Sequence, residues 1–279
     1  MKELIDDITV QLLPCYPEDE ARSLAWWIVE ESTGLTRAQI LTGCKGTKNI
    51  PNLQAIIERL LHFEPIQYIF GHTLWAGLDL KLTSATLIPR PETAELVERI
   101  ANANVNANAK VLDIGTGSGC IAIALKKRHP EWQVTGIDIS AEAIAVAKEN
   151  AVRNNVDVNF LVADIFSDEI EGFLPFTSHL PPFNLIVSNP PYICESEKTA
   201  MRPNVLNYEP ASALFVSDDD PLRFYHRIAS LRLGRHLYFE INEAYSAELA
   251  TLLDELGYTD IQITNDIYGK PRIIEGRMA

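Results

Sequence analysis

Apolar residues recur at helical spacing in the first quarter of the chain. Over residues 18–31 the apolar side chains stand three and four positions apart, and the same spacing returns over residues 53–63. Pro17 and Pro51 precede these two stretches, and proline is tolerated where helices start. The pattern predicts a small all-helical domain over residues 1–71.

The hydrophobic pattern changes beyond this point. Alternating and β-branched residues over 72–90, with a turn at Ala76 and Gly77, predict a β-hairpin that links the helical domain to the rest of the chain. Over residues 91–279, stretches typical of strands alternate with stretches typical of helices. Such alternation requires a mostly parallel sheet that is covered on both faces.

The individual elements of this α/β domain follow from the same periodicities. Strands are expected at 110–114, 133–137, 159–162, 184–188, 236–241, 260–264 and 271–274. Helices are expected at 94–101, 119–128, 141–154, 221–231 and 246–256. The last two strands have no helix between them, so we expect an antiparallel edge. Parallel sheets bind ligands at the carboxyl ends of their strands, where candidate residues are therefore sought.

A glycine-rich loop follows the first strand of this domain. It consists of Gly115, Thr116, Gly117, Ser118 and Gly119. Glycines let the backbone turn sharply and approach a ligand, and the next helix offers unpaired N–H groups in its first turn. A dinucleotide-binding loop has the spacing G-x-G-x-x-G, but Cys120 stands at its third glycine position, which disfavours NAD. The loop for a nucleoside triphosphate, G-x-x-x-x-G-K-[ST], is absent from the sequence.

Carboxylates follow the next two strands. Asp138 ends the second strand, where it could accept both hydroxyls of a ribose or could cap the following helix. Ser140 suits that cap better. Asp164 follows the third strand, and either Ile165 or Phe166 could pack on an adenine ring. Together with the glycine loop, these strand ends fit an adenosyl ligand such as S-adenosylmethionine.

The fourth strand ends in a sequence suited to a planar amino nitrogen. This sequence is Asn189, Pro190, Pro191 and Tyr192. The side-chain oxygen of Asn189 and the main-chain oxygen of Pro190 can each accept one N–H, while the Tyr192 ring can cover the planar group. Such a nitrogen is a poor nucleophile because its lone pair is delocalised, so orientation towards a methyl donor matters more than a strong base. The alternative is a Pro-Pro turn that merely ends a strand.

Composition narrows the classes of function. The formal net charge of −14 argues against a broad phosphate-binding surface, so we expect no stable binding to nucleic acid. The acidic first residues do not fit a secretion signal, and no run approaches the roughly 18 apolar residues that span a bilayer. We expect a cytoplasmic protein without membrane contact. The cysteines are widely separated, which predicts reduced thiols and no metal site.

These motifs resemble those of the release-factor glutamine methyltransferases. The resemblance covers nearly the whole chain and rests on EPIQYIFG (64–71), LIPRPET (87–93), DIGTGSGC (113–120), NPPYI (189–193), YEP (208–210) and AL (213–214). It implies a class I S-adenosylmethionine-dependent methyltransferase fold with a Rossmann-like seven-stranded sheet. A small N-terminal helical domain for substrate recognition and a linking β-hairpin would precede that sheet.

The resemblance also implies a mechanism. S-adenosylmethionine would be bound by Gly115 to Gly119, by Asp138, by Ile165 or Phe166, and by Asn189. The residues from Asn189 to Tyr192 would bind the glutamine of a Gly-Gly-Gln motif in peptide chain release factors, with Asn189, Pro190 and Tyr192 as the catalytic set. Two positions depart from the family pattern: Ala94 replaces an acidic residue, and Ile165 replaces a common tryptophan.

Other interpretations stay open at this point. The chain could methylate adenine N6 in DNA or RNA, or a glutamine of a large-subunit ribosomal protein, or it could bind the cofactor without catalysis. Arg90 and Glu92 could position a ligand or form an ion pair at a helix start, and Glu209 could contact the peptide or fix a loop. Cys194 is expected to be a bystander thiol, and Trp26 with Trp27 part of the helical core.

Overall fold

The computed structural model describes residues 1–44, 49–103, 105–168, 170 and 183–278 of the 279-residue chain. The chain divides into two units. The first consists of Met1–Phe70 with Arg202–Tyr208, and the second of Gly71–Met201 with Glu209–Ala279.

The first unit is helical. Its helices are α1 (Lys2–Leu12), α2 (Glu18–Thr33), α3 (Arg37–Leu41), α4 (Leu53–Leu61) and α5 (Ile66–Phe70). The two helices predicted from apolar spacing, α2 and α4, are confirmed. The helix α2 starts after Pro17, carries acidic residues in its first turn and ends at Gly34 with φ 66°, so both of its ends are stabilised locally. Helix α1 was not predicted, although its buried face has the same helical spacing.

The segment Arg202–Tyr208 belongs to this helical unit although it follows the Asn-Pro-Pro-Tyr sequence along the chain. It carries a short helix, Pro203–Leu206. Arg202 pairs with Glu20 of α2 at 2.8 Å, and the Tyr208 hydroxyl donates to the main-chain oxygen of His62 at 2.9 Å. The chain therefore leaves the second unit just after its candidate substrate motif and returns to it at Glu209.

The second unit begins with the predicted hairpin. Strands β1 (His72–Trp75) and β2 (Leu78–Lys81) pair antiparallel around a turn at Ala76 and Gly77, both of which have positive φ. Positive φ at the two central residues of a two-residue turn matches the twist of the flanking strands. The prediction of the hairpin and of its turn is confirmed.

In the described part of the chain, the main sheet has seven strands in the order β10-β11-β9-β6-β3-β4-β5. They are β3 (Lys110–Ile114), β4 (Gln133–Asp138), β5 (Asn159–Val162), β6 (Phe183–Ser188), β9 (Gly234–Glu240), β10 (Tyr258–Asn265) and β11 (Pro271–Met278). The pairs from β9 across to β5 are parallel, and β11 is antiparallel to both β9 and β10. All seven predicted strands and the antiparallel edge are confirmed, with differences at their ends. The short strands β7 (Ile193–Cys194) and β8 (Phe215–Val216) pair with each other.

Helices cover both faces of the sheet. They are α6 (Pro91–Ala101), α7 (Cys120–Arg128), α8 (Ala141–Arg153), α9 (Arg223–Ser230) and α10 (Ser246–Glu255), with 3-10 turns at Glu195–Ala200, Ala211–Ala213 and Glu243–Tyr245. The buried residues of α6, α7 and α8 form one core with the hairpin, and those of α9 and α10 form another on the opposite face. The helix predicted at 94–101 starts earlier, because Pro91 occupies its first helical position.

The order of the strands places a crevice at the centre of the sheet. From β3 the chain moves to β4 and β5 on one side, and β6 then lies on the other side of β3. Ligands bind at such switch points, outside the carboxyl ends of the strands. None of the helices in the described ranges is long and apolar enough to cross a membrane.

Candidate active site

A cavity of about 650 Å³ lies at the switch point. Its walls include most of the residues that the sequence singled out, namely Gly115, Thr116, Gly117, Ser118, Asp138, Asp164, Ile165, Phe166, Asn189, Pro190 and Pro191. Strands β3 and β6 bring the two motifs together, because Ile114 is paired with Ser188 and each motif starts one residue later. Gly119 and Tyr192 are not among the residues that line the cavity.

The glycine loop wraps over the end of β4. The main-chain N–H groups of Gly115 and Thr116 both donate to the oxygen of Ile137 at 2.9 Å. Gly119 ends the loop with φ 81°, and a Cβ atom there would lie 3.0 Å from the Phe160 ring. Position 119 therefore accepts only glycine without strain, because both its backbone conformation and its packing exclude a side chain.

Buried polar side chains hold this loop from behind. The Thr116 hydroxyl donates to Asp113 Oδ2 at 2.6 Å, and Asn150 Nδ2 donates to the main-chain oxygen of Ser118 at 2.9 Å. Burial raises the pKa of the Asp113 carboxyl to about 7. Asn150 is completely buried and also bonds the main chain of Lys81 in the hairpin. Sequence reasoning missed Asn150, whose only signal is a polar residue on the buried face of α8.

Asp138 lies at the end of β4 and faces the loop. Its Oδ2 accepts from Gly117 N and its Oδ1 from Ser140 N, both at 2.9 Å. Each oxygen keeps one lone pair for a further donor. Burial raises the pKa of Asp138, opposed by these main-chain hydrogen bonds. Ser140 caps α8 by accepting from Ala143 N, so the alternative in which Asp138 caps that helix is wrong.

An aromatic wall closes the cavity beyond Asp138. Phe166 meets Phe224 edge to face with ring centroids 5.2 Å apart, and the Arg223 guanidinium lies 4.7 Å from the Phe166 centroid. Arg227 Nε donates to the main-chain oxygen of Ile165 at 2.8 Å and fixes the turn. Ile165 is buried, whereas Phe166 is half-buried. Sequence reasoning missed Phe224 and Arg223, because α9 lies far from this turn along the chain.

A hydrogen-bonded chain of side chains lies behind the Asn-Pro-Pro-Tyr sequence. Asn189 Nδ2 donates to Thr93 Oγ1 at 3.3 Å, and Thr93 Oγ1 donates to Glu240 Oε2 at 2.7 Å. Tyr192 donates its hydroxyl to Glu240 Oε1 at 3.1 Å. Glu240 is 1% exposed, and burial raises the pKa of its carboxyl. Sequence reasoning missed both Thr93 and Glu240.

Arg90 forms an ion pair, but its partner differs from the one expected at the helix start. Pro91 and Glu92 form the start of α6, ahead of the start expected from apolar spacing, and Arg90 forms its ion pair with Glu209, at 2.7 Å, rather than with Glu92. Glu209 is buried and also accepts from Ile88 N at 3.2 Å. Of its two predicted roles, Glu209 therefore fills that of fixing a loop beside the cavity.

The remaining candidates lie outside the cavity. Cys194 is buried, with its sulfur 3.3 Å from the Tyr245 hydroxyl oxygen. Trp26 and Trp27 pack half-buried against the helical core, and the Arg37 guanidinium lies 4.7 Å from the centroid of Trp26. These side chains have structural surroundings and take no part in the cavity.

Two family models match the chain. The model described as the PrmC N-terminal domain matches residues 3–71, and the model described as the Methyltransferase small domain matches residues 91–207. A release factor glutamine methyltransferase from Bacteroides thetaiotaomicron is 43% identical, with 98% of this chain and 99% of that protein covered. One from Flavobacterium psychrophilum is 41% identical, with 95% and 94% covered.

Solved structures support the same fold class. The catalytic domain of hMettl16 in complex with the MAT2A 3'UTR hairpin 6 matches with a TM-score of 0.57 at 17% identity, covering 73% of this chain and 76% of that chain. The N-terminal domain of human METTL16 in complex with SAH matches with a TM-score of 0.53 at 17% identity, covering 98% and 94%. These likenesses show the fold, which confirms the predicted class I methyltransferase architecture. Given the identity and coverage of its relatives, the chain belongs to the release factor glutamine methyltransferase family.

Proposed function

We propose that this chain transfers a methyl group from S-adenosylmethionine to the side-chain amide nitrogen of a glutamine in peptide chain release factors. The observation that carries the proposal is the position of Asn189, a hydrogen-bonding side chain on the wall of the cavity that also contains the glycine loop. Donor and acceptor would meet where β3 and β6 end side by side. The printed names of the relatives supply the class of substrate.

The residues of the cavity fit an adenosyl cofactor. The loop from Gly115 to Gly119 leaves room for close approach, because a Cβ atom at Gly115 or Gly117 would meet nothing within 4 Å. Asp138 has free lone pairs for ribose hydroxyls, and Ile165 and Phe166 offer an apolar surface for a base. Of the two, Phe166 is assigned to the base because its ring is half-buried on the wall. S-adenosylmethionine supplies a methyl group on a sulfonium sulfur.

The Asn-Pro-Pro-Tyr sequence is assigned to the target glutamine. Asn189 Oδ1 and the main-chain oxygen of Pro190 accept the two N–H bonds of the target amide, which turns its nitrogen towards the methyl group. Pro191 shapes the turn, and Tyr192, which does not line the cavity, is assigned to hold the turn from behind through Glu240 rather than to cover the planar amide. Orientation of two reactants removes on the order of 7–11 kcal/mol of barrier. The methylated nitrogen is acidic and loses its extra proton to water.

The helical domain over residues 1–71 is assigned to recognition of the release factor, the hairpin over 72–90 to linkage, and residues 91–279 to catalysis. A Gly-Gly-Gln loop is the proposed target, because the two glycines before the glutamine carry no side chains and let the backbone approach the cavity closely. Methylation of adenine is not favoured. The net charge of −14 opposes binding to phosphates, and the relatives are named for release factors.

The test is transfer of labelled methyl from S-adenosylmethionine to a purified release factor. A Gln→Ala version of its Gly-Gly-Gln motif and a DNA duplex serve as controls in parallel reactions. We expect label on the intact factor alone. Label on DNA alone, label on nothing, or equal label on the Gln→Ala factor would exclude the proposed substrate.

A further inference from the structure

The carboxamide of Asn189 has two different ends, and only one of them can serve the proposed reaction. Oδ1 can accept a hydrogen bond from the target amide. Nδ2 only donates, so it would face the N–H groups of the target donor to donor, without a hydrogen bond. A half-turn about the last torsion of Asn189 exchanges the two ends without changing the shape of the side chain. A neighbouring hydrogen-bonding group must therefore fix which end of the carboxamide faces the target.

Thr93 fixes the orientation of the Asn189 carboxamide through its single hydroxyl hydrogen. The Thr93 Oγ1 atom lies 2.7 Å from Glu240 Oε2 and 3.3 Å from Asn189 Nδ2. The hydroxyls of Thr93 and Tyr192 each donate to one oxygen of Glu240, so the carboxylate acts as the acceptor and the hydrogen of Thr93 goes to Glu240. The oxygen of Thr93 is then left to accept, and Asn189 has to offer it Nδ2. Oδ1 is left for the target.

Glu240 contacts the motif at its other end as well. Its second oxygen, Oε1, accepts the hydroxyl of Tyr192 at 3.1 Å, so one carboxylate holds both the first and the last residue of the Asn-Pro-Pro-Tyr sequence, the first through Thr93. The carboxylate is fully buried, and burial raises its pKa, while the two hydroxyl donors and the positive charge of Arg272 lower it. A buried acceptor with two hydroxyl donors has a fixed geometry.

We propose that Glu240 is a positioning residue for methyl transfer, which acts through Thr93 to hold Asn189 with Oδ1 towards the target nitrogen and acts directly on Tyr192. The proposal rests on the proposed function and deepens it. Replacement of the Glu240 carboxylate by a neutral side chain would remove this constraint on the orientation of Asn189. In Glu240→Gln the side chain offers one donor and one acceptor, so either Tyr192 or Thr93 has to face an NH2 group. If the NH2 group faces Thr93, the Thr93 oxygen accepts from it and the Thr93 hydrogen can bond Asn189 Oδ1. The Asn189 carboxamide then rotates by a half-turn, so that Nδ2 faces the target.

The first test compares two substitutions at position 93. Thr93→Val keeps the shape and removes the hydroxyl, whereas Thr93→Ser keeps the hydroxyl. We expect kcat to fall about 10–100-fold in Thr93→Val and to stay within about 3-fold in Thr93→Ser, because Thr93 orients a group that contacts the target and does not contact the target itself. The KM for the release factor and the affinity for S-adenosylmethionine should be unchanged in both. Equal losses of kcat in the two variants would overturn the proposal, because packing and not the hydroxyl would then matter.

The second test concerns the carboxylate itself. We expect Glu240→Gln to lower kcat about 10–100-fold, as for a group that orients others from behind, while calorimetric affinity for S-adenosylmethionine and the cooperative thermal transition are retained. Tyr192→Phe should lower kcat by less, since the ring stays. Its matched control is Tyr258→Phe, which also removes a buried hydroxyl, bonded at 3.0 Å to the main-chain oxygen of Ala229, and should leave kcat unchanged.

These assays separate the inference from the proposed function. If the unaltered enzyme fails to label the release factor, the proposed function fails and the inference falls with it. If the unaltered enzyme labels the factor and Asn189→Ala does not, the substrate assignment stands. In that case, Thr93→Val and Glu240→Gln enzymes with kcat within about 3-fold of the unaltered enzyme would overturn the positioning role alone.

Discussion

The two ends of the cavity are held in different ways. At the cofactor end, the glycine loop is fixed largely by main-chain atoms and by Asp138, which stand close to it along the chain or on the adjacent strand. At the substrate end, Asn189 depends on Thr93 of α6, which lies 96 residues before it along the chain. Through Thr93 it depends on Glu240 of β9, which lies 147 residues after Thr93. The backbone of the glycine loop is thus fixed locally, although Asn150 and Phe224 reach the cofactor end from farther along the chain, and the substrate motif is held from a distance.

This difference decides how each end should respond to substitution. A change at the cofactor end should alter binding of the cofactor and leave the orientation of the target intact. A change at the substrate end should alter turnover and leave cofactor affinity intact. Among the residues that the structure describes, the hydrogen-bonded side chains from Asn189 to Glu240 make no hydrogen bond to the glycine loop. Substitutions at the two ends can therefore be told apart by separate measurements of affinity and of kcat.

The largest expected effect is that of Asn189→Ala. Removal of the acceptor for the target N–H should lower kcat about 10²–10³-fold, as for the loss of one polar group at a preorganised site. Asn189 is only one of several residues assigned to the cofactor, so affinity for S-adenosylmethionine should stay within a few-fold in calorimetry. Near-normal turnover would remove Asn189 from the catalytic set, and a large loss of cofactor affinity would erase the proposed separation of the two ends.

Asp138→Ala is the corresponding change at the cofactor end. We expect affinity for S-adenosylmethionine to weaken about 10–100-fold, because hydrogen bonds to a charged group are worth ~1.5–3 kcal/mol. At saturating cofactor, kcat should change much less. Asp138→Asn keeps one acceptor oxygen and should give an intermediate affinity in calorimetry. Unchanged affinity in the alanine variant would contradict the ribose contact.

Arg90→Ala tests the support of the loop beside the cavity. It leaves the buried carboxylate of Glu209 without its ion-pair partner. We expect the free energy of unfolding to fall by about 1–3 kcal/mol, below the cost at a fully buried pair because Arg90 is partly exposed. The double variant Arg90→Ala with Glu209→Gln should be more stable in denaturant titration than Arg90→Ala alone. An equal or lower stability of the double variant would show that the ion pair is not what the loop depends on.

Ser140→Ala should have the smallest effect. The side chain of Ser140 accepts from Ala143 N at the start of α8, and loss of such a cap costs about 1 kcal/mol of stability. Thermal unfolding should detect that loss, while kcat at saturating cofactor stays unchanged. A marked loss of kcat would mean that the start of α8 contributes to the site beyond its local role.

Sequence reasoning reached the cofactor end more completely than the substrate end. The loop from Gly115 to Gly119, Asp138 and the turn at Phe166 follow predictable strands, so parallel pairing alone brings them together. Asn189 was found for the same reason. Thr93 and Glu240 at the substrate end, and Asn150 behind the glycine loop, were missed because each is a polar residue on the buried face of its element, and apolar spacing does not state which partner such a residue meets.

The boundaries of elements show the same limit on a smaller scale. Helix α6 begins three residues before its predicted start because Pro91 and Glu92 suit a first turn, a local signal that apolar spacing alone does not contain. Strand β11 runs to Met278, beyond the predicted end at 274, because its pairing with both β9 and β10 extends it. Pairing partners, and not propensity, set the ends of strands.

The sequence by itself determined the alternation of strands and helices, the hairpin, the glycine loop and the Asn-Pro-Pro-Tyr sequence, because each depends on periodicity or on the backbone preferences of a few adjacent residues. The tertiary structure alone decided that Arg90 pairs with Glu209, and that Glu240 stands behind Thr93 and Tyr192. Buried polar groups need partners, and in a folded sheet those partners come from strands and helices that are distant in sequence.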